Sequence, residues 1–144
     1  MSTQEKTTSH TAALQEGIIG CIVAATYANG YPSPEAYNRI LDVIAGRALF
    51  LEADLIKLVK NQMALHYVLE DEFLPACCEK ITEEWKRPIF AIACHMLMDE
   101  GLSVASINFL RALKQSLDIE DTTNMVEVIG LLHKDRHPES LVNL

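Results

Sequence analysis

Three carboxylates pose the sharpest chemical question in this chain. Glu35 opens one segment with helical spacing, and Asp99 and Glu100 close another, immediately before Gly101. Carboxylate oxygens are the ligands of Ca²⁺ and Mg²⁺, so the three would form a hard-cation site if the two turns meet across a pseudo-twofold. The competing reading is structural, because acids in turns and at helix starts offset the partial positive charge of a helix N-terminus while staying in water. Convergence is the deciding geometry: three carboxylates held together without a cation repel one another and raise at least one pKa.

Other spacings carry weaker chemistry. His95 and Asp99, four residues apart, share a helix face as metal-ligand pairs do, but a His–Asp hydrogen bond explains the spacing equally well. His133 and His137 repeat it at the end of a helix, where the C-terminal partial charge favours histidine without a metal. Cys94, Met96 and Met98 are soft-ligand types. Met96, however, belongs to an apolar stripe and Met98 falls on a different face, so packing is the stronger reading. The four cysteines, Cys21, Cys77, Cys78 and Cys94, lack paired C-x-x-C spacing. Adjacent Cys77 and Cys78 would point about 100° apart on a helix, so buried free thiols are expected, with a vicinal disulfide as the remote alternative. No Gly-rich phosphate loop, G-x-S-x-G elbow or H-E-x-x-H motif occurs, so no enzymatic activity is expected.

The elements that would position these groups are helices. Leu14, Ile18, Cys21, Ile22 and Ala25 repeat with helical spacing up to Asn29-Gly30, a left-handed stop. Ser33-Pro34-Glu35 is a helix start, followed by the stripe Tyr37, Ile40, Leu41 and Ile44. A third helix is expected from about Leu51 to the acids Glu70-Asp71-Glu72, and a short fourth on Phe73, Cys77 and Ile81, with Pro75 tolerable only in its first turn. Trp85, Ile89, Ile92, Ala93, Met96 and Leu97 form the clearest stripe; Pro88 must lie near its start or kink it. Ser103 caps the next helix, with Ile107, Leu110, Leu113 and Leu117 inward, and Asp121 a last one on Met125, Val128, Ile129 and Leu132. No segment sustains the period-two alternation of a strand. Burial is expected for Ile18, Ile22, Ile40, Ile44, Ile89, Ala93, Met96 and Leu110.

At 144 residues the chain is one domain long, read as a flexible arm over residues 1–10 and one helical domain over 11–144. Twelve basic against twenty acidic residues leave a charge of −8, and the cations are dispersed, so nucleic acid is not an expected partner. The longest strongly apolar run, Ile18–Ala28, is about half of what spans a bilayer, so it reads as a core helix and no membrane insertion is expected. MSTQEKTTSH carries no apolar leader region, which predicts a cytoplasmic protein. The apolar share of 49% leaves room for a stripe hidden by a protein partner or by self-association, with a homodimer the expected assembly.

An offset of 71 positions sets Ile18, Ile19, Cys21 and Gly30 against Ile89, Phe90, Ile92 and Gly101, and each glycine turn leads to a helix-start serine, Ser33 or Ser103. The chain thus reads as two related helix–turn–helix units. The run AATYANGYPSPEAYNRI resembles the signature of the TerB-like tellurite-resistance domain, and IFAIACHMLMDEGLSVASINFLRALKQSLDI resembles that family's second copy. The resemblance covers residues 11–133 and implies an all-α fold of about seven helices and a role as a bacterial stress-response module. If it also implies a cation site, Asp99 and Glu100 are its best-kept part and Glu35 the third ligand. Against this, Asn29 stands where the family has aspartate, Tyr31-Pro32 replace an acidic–aliphatic pair, and Ser106 stands where a carboxylate matching Glu35 is expected. Charge and ligand count both fall short, so weak or no stoichiometric divalent metal is expected, and no other cofactor.

Overall fold

A computed structural model of the chain describes residues 3–28, 30, 34–44, 48–99 and 103–119, with side chains described from Thr11 onward except at 36, 43 and 99. The order is α1 (Thr3–Thr26), α2 (Pro34–Ile44), α3 (Leu55–Leu69), α4 (Phe73–Cys78), α5 (Glu83–Asp99) and α6 (Val104–Leu117), with 3-10 turns at Ala48–Phe50 and Glu70–Glu72. Among the described residues there is no strand. The expected last helix, on Met125 to Leu132, lies outside them.

Helix α1 is the axis of the fold. Every residue from 17 to 26 is buried, as a helix that is apolar on all sides must be. It packs chiefly on α3, α4 and α5, and also touches α2 and α6. Its helical backbone begins at Thr3, well inside the stretch expected to be an arm. Once the buried part is helical, adding a preceding residue costs no new nucleation, and Gln4, Glu5 and Lys6 are good helix formers. The helix ends as the sequence predicts: the Thr26 hydroxyl donates to the Val23 carbonyl at 2.7 Å, and Gly30 takes φ +115°. Only glycine holds such a φ without strain.

The other boundaries follow local capping. α2 begins at Pro34, whose missing N–H costs nothing at a first helical position. α3 starts at Leu55 rather than near Leu51, because the Asp54 carboxylate accepts the Lys57 N–H at 3.1 Å and fixes the start there. Ser103 caps α6 as expected, its hydroxyl accepting the Ser106 N–H at 3.1 Å. Pro75 is the third residue of α4, inside the first turn. Pro88 is less peripheral than its stripe implied, since α5 starts at Glu83 and places it six residues in. The helical bond this proline cannot donate would have gone to the carbonyl of Glu84, an exposed first-turn residue.

All eight residues expected in the core are buried, none more than 2% exposed. α5 is nearly as enclosed as α1: Ile89 through Cys94, Met96 and Leu97 are buried, and the helix packs against both α1 and α6. No helix among the described residues is long and apolar enough to cross a membrane.

One contact depends on the absence of side chains. A Cβ on Gly20 would overlap the Cys77 sulfur, and one on Gly17 would lie 2.8 Å from the Lys80 Cβ and 2.9 Å from the Cys77 carbonyl. Gly17, Gly20 and Cys21 share one face of α1 by their i, i+3, i+4 spacing, so α4 seats directly on the α1 backbone. An exposed ion pair, Lys80 to Glu16 at 3.1 Å, lies beside the seat.

Ile22→Ala or Ile89→Ala should each cost about 2–5 kcal/mol by denaturant unfolding, while Val104→Ala, 77% exposed, should stay within ~0.5 kcal/mol. Gly20→Ala should destabilise by ~1–3 kcal/mol despite alanine's better helix propensity, and less in a Cys77→Ala background, where the obstructing sulfur is gone. A double-mutant cycle measures that coupling.

Candidate functional site

Of the expected carboxylate trio, Glu35 is exposed in the first turn of α2. Asp99 is the last residue of α5, its side chain and the whole of Glu100 falling outside the described residues, so their approach to Glu35 is not described. His95 is half-buried on α5, while His133 and His137 lie outside the described residues. Cys94 and Met96 are packed in the core, Met96 as its place on the α5 stripe predicts and Cys94 as expected of a buried free thiol. Among the described residues no group of three or more His, Cys, Asp or Glu side chains is arranged to hold a metal.

Two places do bring chemistry together. The first is a groove at the C-terminal ends of α1 and α3. Tyr27 stacks on the His66 ring at a centroid distance of 4.1 Å and 13° between planes, and Phe73, opening α4, meets His66 in an edge-to-face contact at 5.1 Å. Offset and edge-to-face rings attract through their quadrupoles, so the three rings clamp the ends of α1, α3 and α4 to one another. Tyr27, Met63, Ala64, His66, Tyr67 and Val68 line an open groove of about 920 Å³, with Glu70 and Asp71 on its rim. Tyr67 is 84% and Val68 71% exposed, large apolar surfaces left in solvent beside a concavity. Burial disfavours the charged form of His66 and pulls its pKa below the ordinary value. The α3 stripe predicts a helix here, but nothing in the spacing predicts that Tyr27, nearly forty residues away, covers His66.

The second place is the α1–α4 seat. The Cys21 and Cys78 sulfurs are 3.9 Å apart and buried, and the Cys77 thiol reaches the Gln62 side-chain oxygen at 4.0 Å. All four cysteines are free. Cys77 and Cys78 point to different partners, as their angular separation on a helix requires. Burial pushes the Cys94 and Cys77 thiols up to about 12. Either sulfur of the Cys21–Cys78 contact can donate; the contact and burial hold the Cys21 thiol well up, whereas the contact, against the effect of burial and with Lys86 in range, holds Cys78 down. Cys78 is therefore the member that ionises first.

A second open groove, about 700 Å³ between the start of α5 and the end of α6, mixes Glu83, Glu84 and Asp118 with Lys86 and Arg87 and so carries no single charge preference. No family model, curated protein or solved structure matches the chain. A functional reading therefore rests on its own side chains.

His66 also makes a pH prediction. Its folded-state pKa lies below the unfolded value of roughly 6.5, so the unfolded chain binds more protons between the two values. The stability it contributes is present above pH ~6.5 and is lost as pH falls through the folded pKa. The melting temperature should drop on acidification across this window, and His66→Phe should flatten that part of the profile relative to wild type.

Proposed function

We propose that this chain is a non-enzymatic binding module of the TerB-like, stress-response kind, and that its groove beside His66 takes a basic, apolar-anchored segment of a partner protein. The observation that carries this reading is the juxtaposition of exposed Tyr67 and Val68 with a concave aromatic floor and an acidic rim. Apolar anchors supply affinity by desolvation, and Glu70 and Asp71 select the charge of what flanks the anchor. The formal charge of −8 points the same way, attracting basic partners over the whole surface. A second copy of the chain repeats the acidic rim, so a homodimer through this face would oppose like charges.

The two-unit reading has support from packing. α1 and α5, which align at the 71-residue offset, each bury a continuous run, residues 17–26 and 89–94, and lie against each other. Each is followed by a helix begun by helix-start chemistry, Pro34 for α2 and the Ser103 cap for α6. The stress-response assignment rests on the sequence resemblance alone.

Fluorescence anisotropy with labelled peptides that place Leu or Phe between Lys and Arg residues tests the binding reading. Binding should weaken with added salt and drop at least ~10-fold in Tyr67→Glu and in Val68→Asp, both of which should unfold within ~0.5 kcal/mol of wild type as surface changes do. Equal binding by both variants would overturn the groove. A concentration-dependent dimer in light scattering, abolished by the same substitutions, would assign the face to self-association instead.

A further inference from the structure

We propose that Cys21 and Cys78 form an oxidisable pair, a modification site at which a hydroperoxide converts two buried thiols into a disulfide bolting α4 to α1. The groove beside His66 takes no part in this step. The sulfurs are already in contact at 3.9 Å although the residues are 57 apart in sequence. Of the other two cysteines, Cys77 turns away toward Gln62, and Cys94 is buried in α5. The glycine face of α1 enforces the approach, because Gly17 and Gly20 let α4 rest on the helix backbone beside Cys21.

Reactivity requires brief exposure, and α4 is the element that can supply it. It has six residues, far fewer than a helix needs to hold by itself, and its buried side chains are Phe73, Cys77 and Cys78. It is joined to α3 through Glu70, a non-glycine residue at φ 50°, a sparsely populated backbone conformation. Short segments with few buried anchors open at lower free energy than the global fold. Lifting α4 exposes Cys78 and uncovers the Cys21 face of α1, while α3 and α5 keep the rest of that helix covered.

The chemistry then balances. The Cys78 thiolate, formed once lifting α4 returns its thiol to water, attacks one oxygen of hydrogen peroxide; an S–O bond forms, the O–O bond breaks and hydroxide leaves, taking up a proton to become water. As α4 reseats, the Cys21 sulfur attacks the Cys78 sulfur; an S–S bond forms, the S–O bond breaks, and the departing hydroxide leaves as water with the Cys21 proton. Two thiols have given two electrons to one peroxide. The product cross-links segments distant in sequence, which restricts the unfolded chain and raises stability. It also pins Phe73, and with it the edge contact to His66.

The test treats the full chain with hydrogen peroxide under native conditions, followed by non-reducing peptide mapping and thermal melting. The expected result is loss of two hydrogens from the intact mass, a linked pair of peptides containing Cys21 and Cys78, a free Cys94, and a melting temperature raised by at least ~5 °C and restored by dithiothreitol. Cys77→Ala should oxidise as wild type does. Cys21→Ala should stop at a Cys78 sulfenic acid that dimedone traps, without the thermal gain. A Cys77–Cys78 linkage, or no intramolecular disulfide while the fold stays intact, would overturn the proposal, and the wild-type map decides this even if a variant fails to fold.

Discussion

The rest of the structure depends on the complete enclosure of α1. From Gly17 to Thr26 this helix has no face for water, so every other packed element must spend part of its own apolar surface covering it. A helix apolar all round cannot be stabilised by one partner; it needs a ring of them. That requirement explains why a short helix such as α4, too brief to persist by itself, has a fixed place: it fills the sector that α3 and α5 leave open. It also explains why glycines occur where α4 sits, since the ring closes there only if backbone meets backbone.

Enclosure has chemical consequences. The Cys78 contact and enclosure within the helix that everything covers make the Cys21 thiol a poor acid, and enclosure hides it from solvent, while the same contact holds the Cys78 thiol down. The same architecture leaves the far side of α3 uncovered. α3 needs one face for α1, shown by Val59 and Gln62, and what remains includes Ile56, Leu65, Tyr67 and Val68 in contact with water. The reactive pair and the groove are thus two results of one packing problem, the first where the ring is tightest and the second at its outer edge.

How legible this was in the sequence differs by element. Ser103 at the α6 cap, Pro34 at the start of α2 and the positive φ of Gly30 were readable because each is decided by bonding within a few residues. The core list was readable because helical periodicity states which side chains share a face. The start of α3 was not, because apolar Leu51 continues the stripe backwards while the Asp54 cap, a local hydrogen bond, ends it. The carboxylates were the most conspicuous chemical pattern; Glu35 is exposed in the first turn of its helix, while the Asp99 side chain and Glu100 lie outside the described residues.

By itself the sequence determined the helical character of the described residues, the faces these helices bury, and the caps that delimit them, because these depend on side-chain period and on hydrogen bonds reaching three or four residues. Only the tertiary structure decided which buried faces meet. Nothing in the spacing of Cys21 and Cys78, or of Tyr27 and His66, marks either pair as neighbours. Their contacts are made by the angle and register at which separate helices cross, and those are set by the shapes of all the side chains at the interface together. The two absent side chains at Gly17 and Gly20 show the difference: as letters they look like weak points in a helix, and in the fold they are the socket that brings two sulfurs together.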